Sequence, residues 1–188
     1  MNKRSLSPLL FSMAIYLLIS SCSGTDNTGE KDKEVIYNGG GQVQTKDRES
    51  LIDRNKKMIL LEQEKIDSFL LKNQLIMDET KTGIHYKIEV TGNGEKPKTL
   101  DEVSLKYKLN LLDGTYCYSS DSSGVLQLKI GQSDEPTGLQ EVLQEIPRGS
   151  KAKIIIPSYL AYGLSGDGDK IGGGESLVYT IELLKDKK

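Results

Sequence analysis

The stretch Ile156 to Lys185, IPSYLAYGLSGDGDKIGGGESLVYTIELLK, decides the fold. It begins at the end of a β-branched run, which Pro157 ends because proline cannot donate a hydrogen bond to a sheet. A short aromatic turn follows, and then a loop whose glycines predict high backbone freedom. A strand predicted at 177–184 closes the stretch and places alternate residues on one face: Leu177, Tyr179, Ile181 and Leu183. Taken alone, the stretch predicts two core strands joined by a long loop.

Further strands precede this stretch. Ile84 to Glu89 alternates apolar and polar residues, which is typical of a half-buried strand and places His85 on the polar, surface side. Asp113-Gly114 is a hairpin signal. Three more strands are predicted, at 103–111, 125–130 and 151–156.

A single short helix interrupts the strands. Its apolar residues recur at helical spacing, at Leu139, Val142, Leu143 and Ile146. Pro136 suits the first turn, and Glu135 suits the positive N-terminal end of a helix. The expected fold class is therefore α+β, an antiparallel sheet wrapped around one short helix. This domain is predicted to occupy residues 79–188.

Residues 1–21 have the organisation of an export signal. A basic start precedes an apolar run that is too short for a stable membrane anchor. The small residues before Cys22 resemble a bacterial lipobox, which implies lipidation of the Cys22 thiol and cleavage after Ser21. The alternative is an ordinary signal peptide with an incidental cysteine. If Cys22 carries lipid, Cys117 is a lone thiol, best explained as a small buried apolar residue.

Two segments separate the signal from the domain. Residues 22–46 are rich in Ser, Gly, Asp, Thr, Asn and Lys, which predicts a flexible tether. Residues 47–78 form an N-terminal helical segment, with an amphipathic helix over 47–72 whose apolar stripe contains Ile52, Ile59, Ile66 and Leu70. This helix either packs on its own domain or pairs with a second copy or another partner, and the pattern favours neither.

The composition excludes several functions. The 25 basic and 27 acidic residues form no basic patch, so nucleic acid is not an expected partner. His85 is the only histidine and has no motif-like surroundings, which argues against a Ser-His-Asp triad and against a metal site. The glycine-rich loop leads into a strand and not into a helix, so it lacks the context of a phosphate-binding loop. No cofactor is expected.

Two blocks of sequence, taken together, resemble a known family. The first is Val103-x-x-x-Tyr107, followed by Leu-Asp-Gly-Thr at 112–115 and Ser-Ser at 119–120. The second is P-x-x-L-A-Y-G at 157–163, followed by a strand that ends in E-L-L. In this order they resemble the FKBP-type peptidyl-prolyl isomerase domain, over about residues 83–186. The residue pattern of the second block and the lipobox-like N-terminal segment look most similar to the gliding-motility-associated FKBP-like lipoproteins of gliding bacteria.

The resemblance implies an activity and a place in the cell. The substrates would be proline-containing polypeptides, such as exported or envelope proteins, and the chain would be anchored to a bacterial membrane at its periplasmic or outer-membrane face. Residues expected to form the catalytic pocket are Tyr107, Leu139, Tyr162, Ile171 and Tyr179. Tyr162 would donate its hydroxyl to a substrate carbonyl, and Leu139 stands where the family has a tryptophan floor. Residues expected to contact substrate are Cys117, Tyr118, Leu126, Glu135 and Pro136.

Three departures from the family pattern leave two functions open. Tyr118 replaces an aspartate of the family. Pro136 has no N–H at the position whose backbone N–H holds a substrate carbonyl in the family. Gly172 and Gly173 replace two prolines, which predicts a looser loop. The chain is therefore either an isomerase, which these departures would weaken, or a non-catalytic FKBP-like chaperone or assembly factor for a membrane-associated machinery such as gliding motility.

Overall fold

The structure, a computed structural model, describes residues 35–37, 43–45 and 48–185. The predicted signal peptide and Cys22 lie outside the described residues. The chain divides into two compact units, Met1–Arg48 and Glu49–Lys188. In the first, within the predicted tether, Val35–Tyr37 (β1) pairs antiparallel with Val43–Thr45 (β2). The candidate site lies in the second.

A long helix, α1, Arg48–Lys72, precedes the strands of the second unit and confirms the helix predicted over 47–72. The strands that follow are Asp78–Glu79 (β3), His85–Val90 (β4), Glu102–Leu111 (β5), Tyr116–Ser119 (β6), Leu126–Lys129 (β7), Lys151–Ile156 (β8) and Leu177–Leu183 (β9). The short helices are Ser120–Ser123 (α2) and Thr137–Val142 (α3), with 3-10 turns at Leu143–Glu145 and Ser158–Leu160.

Within the described residues, the strands of the second unit form a seven-stranded antiparallel sheet. The order is β3-β4-β8-β9-β5-β6, and β7 pairs with the first half of β5. β9 therefore lies at the centre, paired with β8 on one side and β5 on the other. This arrangement with α3 confirms the predicted α+β class.

The main core lies between α3 and one face of the sheet. The predicted helical stripe is fully buried there, at Leu139, Val142, Leu143 and Ile146. The predicted inner face of β9 is buried as well, with Tyr179 and Ile181 at 1% and 2% exposure. Gly138 lets α3 approach the sheet closely, since an added Cβ would lie 2.5 Å from the Cγ2 of Ile156.

The opposite face of the sheet is covered by the second half of α1. Ile66, at 0% exposure, packs with Ile155 of β8 and Val178 of β9. His85 is the register partner of Ile155, so its side chain lies on this same covered face. His85 is accordingly only 5% exposed, and its Nε2 has no hydrogen-bond partner among the described residues. The surface position predicted for His85 is wrong, because strand alternation does not reveal that a helix covers the polar face.

The first half of α1 keeps its apolar residues exposed. Their exposed fractions lie between 44% and 65%, at Leu51, Ile52, Met58, Ile59, Leu60 and Leu61. The predicted stripe is thus divided, with Ile66 buried on its own domain and Ile52 and Ile59 open. No helix in the described part of the chain is long and apolar enough to cross a membrane.

Candidate functional site

The wall of the candidate site is formed by β5, β9, α3 and the loop before β9. Tyr107 and Tyr179 stand on neighbouring strands, with ring centroids 6.2 Å apart at an interplanar angle of 48°. Leu139 of α3 is fully buried, and Ile171 of the loop is 2% exposed. Leu139, Ile171 and Tyr179 belong to the main core cluster and Tyr107 packs against it, so the fold brings together residues that are far apart in the sequence.

Tyr162 adds a hydroxyl group to this apolar wall. Its half-buried side chain packs against the main core. Burial raises the pKa of Tyr162 to about 12, and Glu135, Asp167 and Tyr107 add to the rise. The phenol is therefore protonated at neutral pH, and its hydroxyl has no hydrogen-bond partner within residues 48–185. It is a donor available to a ligand.

The Tyr179 hydroxyl also interacts electrostatically with Tyr162 and with two of its neighbours, Glu135 and Tyr107. Burial raises the pKa of Tyr179 well above its ordinary value, and Tyr162, Glu135, Tyr107 and Cys117 raise it further. Cys117 is fully buried, and burial likewise raises the pKa of its thiol. The site is therefore a poorly hydrated environment that favours neutral groups.

The segment leading into α3 is fixed by a buried glutamine. The Gln140 side-chain amide donates to the backbone oxygens of Ser133, at 3.0 Å, and Glu135, at 2.7 Å. Its Oε1 accepts from the backbone N–H of Gly131 at 2.7 Å. Gln140 thus holds the position of Glu135, whose own pKa is raised by burial and by Asp134. Sequence reasoning missed Gln140 because it lies off the apolar stripe and carries no motif.

Pro136 occupies the N-cap position of α3. It is buried, and its carbonyl accepts from the backbone N–H groups of Leu139, at 3.0 Å, and Gln140, at 3.2 Å. The residue therefore starts the helix, but it presents no N–H to the site. Leu126, at the start of β7, is half-buried against the same core cluster.

Tyr118 connects β6 to the glycine-rich loop. Its hydroxyl donates to Oδ2 of Asp167 at 2.5 Å and approaches Oδ2 of Asp169 at 3.2 Å. The hydrogen bond to Asp167 is the main cause of a raised pKa at Tyr118. Lys170 lies over the ring, with Nζ 4.9 Å from the centroid, and donates to the Cys117 carbonyl at 2.9 Å. Where the family has an aspartate, this chain therefore has a tyrosine that bonds to a carboxylate of the loop.

Asp167 also organises the loop itself. Its Oδ1 accepts from the backbone N–H groups of Asp169, at 2.9 Å, and Ile171, at 2.8 Å. Burial alone raises the pKa of Asp167, but the hydrogen bonds from Tyr118 and from the backbone outweigh it, so the pKa is lowered. The carboxylate is thus ionised and holds Ile171 against the wall.

The glycines of this loop allow close backbone approach. A Cβ at Gly173 would overlap the Leu164 carbonyl, and one at Gly166 would overlap the Ile171 carbonyl. Backbone bonds close the loop, from Asp167 N to Ile171 O at 3.0 Å and from Gly174 N to Gly163 O at 2.8 Å. Close backbone packing therefore requires glycine at 166 and 173, whereas Gly172 has room for a Cβ. The looser loop remains a prediction.

The fold thus collects the predicted site residues in one region. Eight of them, Tyr107, Cys117, Tyr118, Leu126, Leu139, Tyr162, Ile171 and Tyr179, are in or against the main core, and Glu135 and Pro136 lead directly into α3. No group of His, Cys, Asp and Glu side chains in the described part of the chain is placed to hold a metal ion.

The family comparison agrees with this geometry. Residues 93–184 match the family described as FKBP-type peptidyl-prolyl cis-trans isomerase. The probable FKBP-type peptidyl-prolyl cis-trans isomerase FkpA of Neisseria meningitidis serogroup B is 32% identical over 160 residues, which is 84% of this chain and 57% of that protein. The outer membrane protein MIP of Legionella longbeachae is 36% identical over 107 residues, which is 57% of this chain and 46% of that protein. The chain thus spans about half the length of these relatives.

Solved structures give the same result. The crystal structure of FkpA from Escherichia coli superimposes with a TM-score of 0.59 at 29% identity, and the match covers 72% of this chain and 63% of that one. A peptidyl-prolyl cis-trans isomerase from Pseudomonas syringae pv. tomato gives a TM-score of 0.58 at 27% identity, with 71% and 96% covered.

The antiparallel sheet around a short buried helix, with tyrosines lining one wall, defines an FKBP-like α+β domain. Residues 93–184 match the FKBP-type peptidyl-prolyl cis-trans isomerase family, and the chain is similar to the FkpA and MIP proteins.

Proposed function

We propose that this chain is a peptidyl-prolyl cis-trans isomerase that acts on exported or envelope proteins. The observation that carries the proposal is the Tyr162 hydroxyl, protonated and without a partner, beside the apolar wall of Tyr107, Leu139, Ile171 and Tyr179. The match of residues 93–184 to the FKBP-type peptidyl-prolyl cis-trans isomerase family supports the same activity.

Prolyl isomerisation does not require a side chain that gains or loses a proton. Rotation about a peptide bond is opposed by a barrier of about 18–20 kcal/mol because amide resonance must be broken. A poorly hydrated wall favours the twisted, less polar amide over the planar form, and holding the chain beside it removes entropy in advance. The Tyr162 hydroxyl would hold a substrate carbonyl while the prolyl bond turns.

The test compares two tyrosines of one turn. Tyr162→Phe removes the free donor, and a lost hydrogen bond of about 0.5–1.5 kcal/mol corresponds to a rate loss between about twofold and about tenfold. Tyr159→Phe is the matched control, because the Tyr159 hydroxyl is already bonded to the Thr82 carbonyl at 2.8 Å. Cis-to-trans conversion of a proline peptide should slow only in the Tyr162 variant. Equal rates in the two variants would contradict the role of Tyr162.

The second candidate function is a non-catalytic chaperone or assembly factor, for example in gliding motility. Pro136 favours it, since no backbone N–H is present where the family holds a substrate carbonyl. A wild-type rate equal to the uncatalysed rate, together with measurable binding of unfolded proline-containing chains, would establish this candidate and reject the isomerase.

We also propose that lipid on Cys22 anchors the chain to the envelope, as the lipobox-like residues before it indicate. The name of the Legionella relative, an outer membrane protein, is consistent with this placement. Cys22→Ser should abolish acyl labelling and leave an unprocessed precursor. Unchanged labelling and mature size in that variant would contradict the anchor.

The exposed half of α1 supports a further proposal, that two copies of the chain associate through it. Ile52, Ile59 and Ile66 recur at seven-residue spacing, as residues of a coiled-coil seam do, but only Ile66 is buried within its own domain. Two-fold dimers are the commonest homo-oligomers, and such pairing would bury the exposed stripe.

A further inference from the structure

One carboxylate of α1 reaches the segment that carries the candidate site. Glu62 Oε1 accepts from the Ser158 backbone N–H at 2.6 Å and from the Ser176 hydroxyl at 2.5 Å, and its Oε2 accepts from the Ser158 hydroxyl at 2.9 Å. Both serines are nearly buried, at 8% and 2% exposure. Hydrogen bonds to an ionised carboxylate are about twice as strong as those between neutral groups.

The two serines mark the ends of the site-bearing segment. Ser158 opens the turn that contains Tyr162, and Ser176 directly precedes β9, which carries Tyr179. One carboxylate therefore holds both ends of residues 158–176. The sequence separations, 96 and 114 residues, explain why sequence reasoning did not find this contact.

The contact continues through the backbone to Tyr162. The Ser158 carbonyl accepts from Ala161 N at 3.0 Å and from Gly163 N at 2.8 Å, which are the residues on either side of Tyr162. The Gly163 carbonyl in turn accepts from Gly174 N at 2.8 Å, close to Ser176. The orientation of Tyr162 is thus set by a short series of hydrogen bonds that starts on α1.

Packing supports the same connection. One turn after Glu62, Ile66 is fully buried against Ile155 and Val178, so this part of α1 is held on the sheet. Helical residues four apart lie on the same face, which points the Glu62 side chain toward the domain.

We propose that Glu62 is a positioning residue for the isomerase site, which makes α1 part of the catalytic unit. This inference rests on the proposed isomerase function, with Tyr162 as donor. Glu62 does not contact substrate. It keeps the turn at 158–163 in the conformation that presents the Tyr162 hydroxyl.

The first test measures kcat/KM of the full-length protein for a proline peptide. Glu62→Ala should lower kcat/KM by no more than Tyr162→Phe does, between about twofold and about tenfold. Glu62→Gln keeps an oxygen acceptor for the Ser158 N–H and should restore part of the rate. Glu64→Ala, at an exposed position of the same helix, is the matched control and should match wild type.

Epistasis separates positioning from general destabilisation. In a Tyr162→Phe background, Glu62→Ala should cause no additional loss, because the group it positions is gone. A loss of equal size in both backgrounds, or the same loss in Glu64→Ala, would overturn the inference.

A second readout does not depend on activity. Amide hydrogen exchange at Ala161 and Gly163 should become at least about tenfold faster in Glu62→Ala relative to Glu64→Ala, as expected when local opening becomes easier, with a smaller increase in Glu62→Gln. If wild type shows no catalysis but exchange rises in this way, the proposed function fails and the positioning contact stands. Unchanged exchange in both Glu62 variants would overturn the inference whatever the activity.

Discussion

The buried phenol of Tyr179, a residue of the candidate site, makes the stability of the folded protein depend on pH. Burial raises its pKa well above the ordinary tyrosine value of about 10, so the folded state favours the neutral form. An unfolded chain ionises at the ordinary value. The stabilisation is therefore fully present below about pH 10 and is lost as the pH rises toward the folded-state pKa.

We predict that the free energy of unfolding of the wild-type protein falls as the pH rises above about 10, and that it falls less steeply in Tyr179→Phe. The measurement is urea unfolding at pH 7, 9 and 11. Tyr116→Phe is the control, since the hydrogen bonds of its hydroxyl with Ser119 and Ser122 lower the pKa of Tyr116. A Tyr179 variant with the wild-type pH dependence would contradict the prediction.

His85 marks the limit of residue-by-residue prediction. Alternation along β4 correctly paired His85 with Lys87 and Glu89 on one face. The error lay in assigning that whole face to solvent, because α1 covers the first residue of the strand and leaves the later ones exposed. A local pattern of period two carries no information about a helix that joins from another part of the chain.

At the scale of elements, α3 depends on a close approach to β8 and the turn after it. An added Cβ at Gly138 would lie 2.5 Å from the Ile156 Cγ2 and 3.0 Å from the Leu160 Cβ. We predict that Gly138→Ala lowers the free energy of unfolding by about 1–3 kcal/mol, the usual effect of overpacking a core.

Chemical denaturation measures this effect. Gly172→Ala serves as the control, because its Cβ would meet nothing closer than the Glu175 Cγ at 3.7 Å. Equal stability of the two variants would show that α3 can move away from the sheet without loss.

The elements themselves followed largely from sequence. The strand predicted at 151–156 has the observed bounds. Those at 103–111 and 177–184 differ from the observed bounds by one residue at one end, and the strand at 125–130 by one residue at each end. The contacts that complete the site did not follow. Tyr118 and Asp167 are 49 residues apart, and Glu62 and Ser176 are 114 apart. Each pair therefore comes into contact only when the whole domain has folded. Periodicity places a residue on a face, but hydrogen bonds between distant loops have no periodic signal.

At the scale of the whole molecule, the exposed half of α1 leads to a prediction about association. A helix of 25 residues is about 37 Å long, enough to carry one stripe on its own domain and another against a second copy. We predict that Ile59→Glu shifts the sedimenting species from dimer to monomer, since a charge replaces an apolar residue in the seam.

Asn55→Glu introduces the same charge at an exposed polar position of the helix and should leave the dimer intact. A wild-type protein that already sediments as a monomer at high concentration would contradict association through α1.

The position of β4 determines which segments can be exchanged between such domains in a chimeric protein. β4 ends at Val90, ahead of the family-matched residues 93–184, yet it supplies the outer neighbour of β8. A chimera that exchanges only 93–184 leaves the edge of β8 dependent on a foreign strand, and an unpaired edge is a template for aggregation. It also separates Ser158 and Ser176 from the carboxylate that holds them. Breakpoints that preserve a soluble protein therefore fall before β4, and those that preserve the site fall before Glu62.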